Sequence, residues 1–191
     1  MSGIRTLCVY CGSSRGNHPD YLHAVRALGS VIAERGIRLV YGGASVGIMG
    51  ALADVVLAEG GSVVGIIPEH LVRHEVAHQQ LSDLRVVASM HERKALMAEL
   101  SDAFVALPGG LGTIEELFEM LTWAQLDLHR KPCGVLNVRG YFDHLLAFLD
   151  HAEAEQFVRP HHRAMLQVAD EAESLLAALA RYRAPGAQKW T

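Results

Sequence analysis

Pro108-Gly109-Gly110-Leu111-Gly112-Thr113-Ile114-Glu115-Glu116 is the stretch that decides the fold, through the elements predicted on either side of it. The apolar run from Ala103 to Leu107 before it predicts a buried parallel strand. Apolar residues at helical spacing after it predict a helix from Thr113 to about Asp127. The order of strand, glycine-rich turn and helix is typical of α/β proteins.

The turn itself has two interpretations. Its three glycines strip the backbone of side chains, and the following helix start offers N–H groups that suit a phosphate. The carboxylates of Glu115 and Glu116 would then lie in the first helical turn. Alternatively, Thr113 and Glu116 have the spacing of a capping box, in which Glu116 only satisfies a backbone amide. The pattern leaves both interpretations open.

Length, composition and charge bound the class of protein. The 191 residues predict one domain over residues 1–183 with a frayed tail over 184–191. No apolar run reaches the length of a membrane span, and the N-terminus lacks the layout of a signal peptide. Three cysteines provide no disulfide framework, which favours a reduced, cytoplasmic setting. The net charge of −4 argues against a general nucleic-acid binder but allows a small anionic ligand.

Short apolar runs alternate with helical patterns along the whole chain. This alternation predicts a doubly wound, mostly parallel sheet with helices on both faces. The predicted strands cover 4–11, 37–41, 62–67, 85–88, 103–107, 133–138 and an edge strand at 165–168. The predicted helices cover about 19–35, a segment ending near 59, 90–100, 113–127, 141–155 and 171–182. Residues 68–84 and 156–162 are predicted as loops.

Three predicted strands end in small-residue turns, namely Gly12-Ser13-Ser14, Gly42-Gly43 and Gly109-Gly110. In a doubly wound sheet such turns gather at the carboxyl edge of the strands, where ligands bind. They favour a nucleotide-like phosphate ligand, with Ser13 and Gly43 among its candidate contacts. The alternative is ordinary turn chemistry. The dinucleotide fingerprint and the Walker pattern are both absent, so a redox role has little support.

Arg93 and Lys94 stand near the start of a predicted helix, where the helix dipole is unfavourable to cations. Two cations in that position indicate an anionic partner. The alternative is a solvated surface pair with Glu92 and Glu99.

The candidate metal ligands do not form a convincing site. Cys8 and Cys11 would point to opposite faces of a strand, so they cannot easily share a metal. His70, His74 and His78 recur every four residues, but they lie in a predicted loop and not in a helix. No metal and no cofactor are therefore predicted. Glu75, in the same loop after the third strand, is the more interesting polar residue.

Several large apolar residues follow the central motif, and they have two interpretations. They could form an exposed surface for a homodimer or they could pack in the core. These residues are Trp123, Leu126, Leu128, Phe142 and Phe148.

Two long motifs carry a resemblance to a known family. Met90-His91-Glu92-Arg93-Lys94 and the segment Pro108 to Glu116 closely resemble the LOG (Lonely Guy) family of cytokinin riboside 5′-monophosphate phosphoribohydrolases. Thr122-Trp123-Ala124-Gln125 followed by Lys131-Pro132 adds to the match. The turn Gly42 to Gly50 resembles the family's first phosphate-side turn, and Cys11 to Ser14 resembles its N-terminal signature.

The resemblance implies a Rossmann-like fold, a homodimer, no cofactor, and hydrolysis of an N-glycosidic bond. The implied substrates are AMP and N6-prenylated AMP, which would yield a free base and ribose 5-phosphate. By motif position Arg93 and Glu116 would be the catalytic pair. The implied nucleotide contacts are Glu75, Lys94, Gly109, Gly110, Leu111, Gly112, Thr113, Ile114, Glu115 and Thr122.

Some alternatives stay open beside this resemblance. Glu116 could attack the anomeric carbon or only stabilise the positive charge that develops on the ribose. Family members are often labelled lysine decarboxylases, but no residue here supports that label. A non-catalytic nucleotide or molybdenum-cofactor carrier of the same fold is the rival class, and a hydrolase for a different base is a third possibility.

Overall fold

The structure, a computed structural model, describes residues 3–72, 77–81 and 83–185. Its centre is a seven-stranded sheet with the order β4-β3-β2-β1-β5-β6-β7, in which every pair of neighbours is parallel. The strands are β1 (Thr6–Tyr10), β2 (Arg38–Tyr41), β3 (Val63–Pro68), β4 (Asp83–Val87), β5 (Ala103–Ala106), β6 (Cys133–Leu136) and β7 (Leu166–Ala169).

Helices connect the strands and cover both faces of the sheet. They are α1 (Pro19–Glu34), α2 (Gly47–Ala58), α3 (Met90–Leu100), α4 (Leu111–Gln125), α5 (Asp143–Ala154), α6 (Pro160–Arg163) and α7 (Ala172–Arg181). Short 3₁₀ turns lie at Glu69–Leu71 and Val138–Gly140. None of the helices in the described ranges is both long and apolar enough to span a membrane.

Successive side chains of the buried strands point to opposite faces of the sheet, and they form two apolar layers. Leu7 and Val9 of β1 face α1, α2 and α7, which we call the first face. Cys8 and Tyr10 face the opposite side, where α3, α4 and α5 pack, which we call the second face. Val9 and Tyr10 are each 1% exposed, so the central strands are buried on both sides, as parallel strands require.

The order of the strands reverses direction between β1 and β5. The chain builds outward from β1 to β4, returns to the centre and then builds outward from β5 to β7. The connections leaving β1 and β5 therefore diverge, and they open a crevice at the carboxyl edge of the sheet. The amide of Gly12 donates to the carbonyl of Pro108 at 3.2 Å, which joins the two turns at this point.

The predicted doubly wound fold with helices on both faces is confirmed, and the sheet is entirely parallel. Some boundaries were wrong. Strand β4 begins at Asp83 rather than Arg85, and α6 occupies part of the segment that was predicted as a loop before residue 162. The proposed tail boundary at residue 184 stays a prediction.

Candidate active site

A cavity of about 260 Å³ lies at the crevice between the β1 and β5 turns. We call it the switch-point cavity. The turns after β1, β2 and β5, the 3₁₀ turn after β3 and the starts of α3 and α4 form its walls. Its lining residues are Val9, Tyr10, Cys11, Gly12, Ser13, Gly42, Met49, Leu71, Met90, Arg93, Met97, Gly110, Leu111, Gly112, Thr113 and Glu116.

The start of α4 presents backbone N–H groups at this cavity. The helix begins at Leu111, with Gly110 in an extended conformation as its N-cap. Its first intrahelical bond runs from the amide of Ile114 to the carbonyl of Gly110 at 3.2 Å. The amides of residues 111–113 precede that bond and have no intrahelical acceptor. Together with the positive end of the helix dipole they can bind an anion such as a phosphate.

The alternative interpretation of Thr113 and Glu116 as a capping box is wrong. The N-cap of α4 is Gly110, which lies three residues before the N-cap Thr113 that the T-x-x-E spacing indicates. Thr113 is the third helical residue, and Glu115 and Glu116 fall beyond the first turn. The Glu116 side chain lies on the buried side of α4 at the cavity wall.

Gly109 allows the close packing of this turn. A Cβ there would lie 2.1 Å from the hydroxyl oxygen of Thr113 and 2.8 Å from the amide nitrogen of Gly12. The hydroxyl of Tyr141 donates to the carbonyl of Gly109 at 2.5 Å. These contacts hold the turn from both sides, so the amides at the start of α4 are presented in one orientation.

Arg93 of α3 and Glu116 of α4 face each other across the switch-point cavity. Nη2 of Arg93 lies 3.9 Å from Oε1 of Glu116, and the two side chains are 7% and 10% exposed. The guanidinium Nη1 lies 3.8 Å from the sulfur of Met90, and Nε has no hydrogen-bond partner in the described part of the chain. A buried cation with so few partners is costly unless a ligand supplies them.

The local sequence explains why α3 carries Arg93 inward. Ser89 caps the helix by accepting from the amide of Glu92 at 3.1 Å, and the Glu92 carboxylate accepts from the amide of Ala88 at 2.8 Å. Arg93 and Lys94 then fall on the buried side, each 6% exposed. The alternative of a solvated surface pair is therefore wrong.

Lys94 is held by α4 and does not line the cavity. Its ammonium pairs with the carboxylate of Glu115 and lies 3.1 Å from that of Glu119. Burial lowers the pKa of Lys94, but the hydrogen bonds and charges of Glu115 and Glu119 outweigh burial and raise it. These ion pairs cross-link α3 to α4, and so they help to hold Arg93 opposite Glu116.

The other predicted nucleotide contacts divide into two groups. The structure brings Ser13, Gly110, Leu111, Gly112 and Thr113 to the cavity wall. It places Gly43, Gly109, Ile114, Glu115 and Thr122 outside that wall. Their roles in binding stay predictions, and Glu75 lies outside the described residues.

Three further residues outside the wall, besides Gly109 and Glu115, have structural roles. Ile114 packs against the apolar cluster under α4 and α5. The hydroxyl of Thr122 donates to the carbonyl of Phe118 at 2.7 Å. Gly43 has a φ of 78°, a left-handed conformation that favours glycine.

The start of α2 is not equivalent to the start of α4. The amides of Ile48 and Met49 point to the carbonyl of Gly12, at 3.1 and 3.4 Å. Gly47 packs so tightly on Ser13 that a Cβ would lie 2.2 Å from its carbonyl carbon. The turn Gly42 to Gly50 therefore shapes the cavity, whereas the amides that are available to an anion belong to α4.

The cysteines and histidines do not contribute a metal site within residues 3–72, 77–81 and 83–185. Cys8 and Cys11 belong to the apolar layers of opposite faces, as predicted. Burial, and then the charge of Glu116, raise the pKa of the Cys11 thiol, which disfavours a thiolate nucleophile beside the cavity. His78 is buried against Asp54 at 2.9 Å, His70 is exposed, and His74 lies outside the described residues.

The apolar side of the cavity was not predicted from the sequence. Met49, Leu71, Met90 and Met97 line it, and Leu111 is 91% exposed at its mouth. Methionines at helical spacing more often fill a core, so no local signal distinguished them. Gly42 was recognised only as part of a turn, although it borders the cavity beside Arg93.

Comparisons with known proteins find close relatives over most of the chain. A family model described as "possible lysine decarboxylase" matches residues 49–179. A probable cytokinin riboside 5′-monophosphate phosphoribohydrolase of Oryza sativa subsp. japonica is 51% identical over 96% of this chain and 75% of its own length. A cytokinin riboside 5′-monophosphate phosphoribohydrolase of Arabidopsis thaliana is 48% identical over 95% of this chain and 83% of its own.

Solved structures share the fold at much lower identity. The molybdenum cofactor binding protein of the phototrophic bacterium Rippkaea orientalis has a TM-score of 0.68 at 22% identity, over 93% of this chain and 95% of that one. The Moco carrier protein of Chlamydomonas reinhardtii has a TM-score of 0.68 at 21% identity, over 91% of this chain and 93% of that one. At such identities the likeness shows the fold alone.

Proposed function

Since this chain belongs to the LOG family of cytokinin riboside 5′-monophosphate phosphoribohydrolases, we propose that it hydrolyses the N-glycosidic bond of nucleoside 5′-monophosphates. The substrates are AMP and N6-prenylated AMP, and the products are the free base and ribose 5-phosphate. The buried Arg93–Glu116 pair, beside the start of α4, is the observation that carries this proposal.

The geometry supports different roles for the different walls of the cavity. The amides at the start of α4 bind the 5′-phosphate, while the ribose lies between Arg93 and Glu116. As the bond from the ribose to the base breaks, its electron pair leaves with the base, and positive charge develops on the ribose. The Glu116 carboxylate stabilises that charge in a largely dry site, where electrostatic interactions are strong. Water then supplies a hydroxyl to the anomeric carbon and a proton to the base.

Arg93 supports both the carboxylate and the substrate. At 3.9 Å its guanidinium can pair with the Glu116 carboxylate, and its Nε–H, which has no partner among the described residues, can donate to a ribose hydroxyl or a phosphate oxygen. The apolar wall formed by Met49, Leu71, Met90 and Met97 suits the adenine ring and an apolar N6 substituent.

The description of the family as lysine decarboxylases receives no support from the site. A pyridoxal-dependent decarboxylation uses a lysine that forms a Schiff base with the cofactor. Lys94 is held by Glu115 and Glu119, and Lys131 donates to the carbonyl of Ala98 at 2.7 Å. Neither lysine lines the cavity.

Incubation of the purified protein with AMP, and separately with isopentenyl-AMP, tests the activity. We expect free base and ribose 5-phosphate in equal amounts, and the two rates rank the substrates. Arg93→Ala is the control for release by a contaminating enzyme, and it is expected to lose activity. Stoichiometric nucleotide binding without product in the wild type would contradict the proposal and favour a carrier.

The partner and the compartment are also proposals. Leu126, Leu128 and Phe148 are 47, 67 and 61% exposed, which supports a homodimer interface, whereas Phe142 is 1% exposed and packs in the core. Sedimentation of the wild type and of a Leu126→Ser/Leu128→Ser variant tests this interface. A cytoplasmic location is supported by the cysteines, all of which are free thiols.

A further inference from the structure

Gly42 lies directly against the guanidinium of Arg93, in the turn that follows β2. A Cβ built on Gly42 would lie 2.0 Å from Nη2 of Arg93 and 3.2 Å from its Cζ. The next atom, the sulfur of Met49, is 3.4 Å away. The guanidinium therefore fills the space that any other residue at position 42 would need for its side chain.

The backbone does not require glycine at this position. Gly43 and Gly47 have φ values of 78° and 63°, whereas Gly42 is not among the glycines with positive φ. An alanine at position 42 can therefore adopt the native backbone conformation, and its severe overlap with the described residues is with the end of a flexible side chain. The requirement for glycine at this position comes from Arg93.

Within the described residues the guanidinium makes two long polar contacts. Its ion pair with Glu116 spans 3.9 Å, its contact with Met90 spans 3.8 Å, and Nε has no partner within the described residues. Such a group gives way easily when a neighbour grows. A methyl group at position 42 would move the guanidinium rather than the backbone.

We infer that Gly42 is a positioning residue for the reaction, because its missing side chain provides the space in which Arg93 faces Glu116. The inference rests on the proposed function for its effect on turnover. The inference also states that Arg93 must move when residue 42 gains a side chain. This steric claim does not depend on the substrate.

The first test is the kinetics of Gly42→Ala on AMP. We expect kcat to fall by about 100-fold, because a shift of about 1 Å in a catalytic group costs this much. Gly29→Ala is the matched control, since its Cβ would meet the Val55 side chain at 2.8 Å in the remote α1–α2 contact. The control should keep the wild-type kcat. A wild-type kcat in Gly42→Ala would overturn the inference.

The second test is a thermal-unfolding cycle between positions 42 and 93, which needs no activity. Gly42→Ala should lower Tm in the wild-type background, because it displaces a buried guanidinium. In an Arg93→Ala background the space is free, and the same change should leave Tm unchanged or raise it. Equal losses of Tm in both backgrounds would overturn the inference. An inactive wild type with a positive cycle would refute the proposed function alone.

Discussion

The two faces of the sheet bury their side chains in different ways. On the first face α1, α2 and α7 pack on an apolar layer, and its buried polar groups, among the described residues, are His78 against Asp54 and the hydroxyl of Tyr41. On the second face α3 and α4 carry inward a different set, all of it polar or charged: Arg93, Lys94, Ser101, Thr113 and Glu116.

The difference shows what each face contributes. Burying apolar area stabilises the fold at about 25 cal/mol per Å². Burying charge costs free energy unless partners compensate for the lost water. Lys94 has such partners in Glu115 and Glu119, whereas the partners of Arg93 within the described residues are Glu116 at 3.9 Å and the thioether of Met90. The first face therefore provides stability, and the second gives up some stability to hold a site.

The largest expected effect is on the second face. Glu116→Gln keeps the shape of the side chain and removes its charge, so kcat on AMP should fall by about a thousandfold. AMP binding, measured by calorimetry, should change little because the start of α4 is untouched. Normal turnover in this variant would show that the second face does not carry the chemistry at Glu116.

A substitution on the first face should lower stability and leave turnover unchanged. Leu52 of α2 is 0% exposed in the apolar layer, so Leu52→Ala should lower the free energy of unfolding by about 2–5 kcal/mol. Urea denaturation measures this loss. The folded protein should retain the wild-type kcat, and a loss of kcat that exceeds the unfolded fraction would weaken the division between the faces.

Removing both charges of the pair should raise stability. Arg93→Met/Glu116→Gln replaces a buried ion pair with groups of similar volume, and such changes are neutral or stabilising by about 1–4 kcal/mol. The double variant should be inactive and at least as stable as the wild type in urea denaturation. A marked loss of stability would mean that the pair serves the fold and not the site.

The smallest expected effect is a pH dependence at the far end of α4. Burial lowers the pKa of His129, although its hydrogen bond to the carbonyl of Met120 acts in the opposite direction. Below about pH 6.5 the unfolded chain binds a proton at this position that the folded chain resists, so stability falls as pH falls. His129→Gln should flatten the urea-midpoint profile between about pH 5 and 7. An unchanged slope would remove His129 as a cause.

The fold was predictable because its signals are local. Each buried strand is a short apolar run, and the runs of β1, β2 and β5 end in turns whose small residues are visible in the sequence. The start of α4 was misplaced because Gly110 caps the helix through its extended backbone alone, while Thr113 and Glu116 imitate a capping box. A backbone cap leaves no side-chain signature, so spacing favoured the wrong residue.

The motifs of this chain determined by themselves the family, the doubly wound sheet and the identity of Arg93 and Glu116 as a candidate pair. Only the tertiary structure decided that Lys94 turns toward Glu115 and Glu119, and that Gly42 makes room for Arg93. The physical reason is the distance along the sequence over which each interaction acts. Strand, turn and helix preferences act over a few neighbouring residues, whereas the 3.9 Å between Arg93 and Glu116 depends on how α3 and α4 pack on the same sheet.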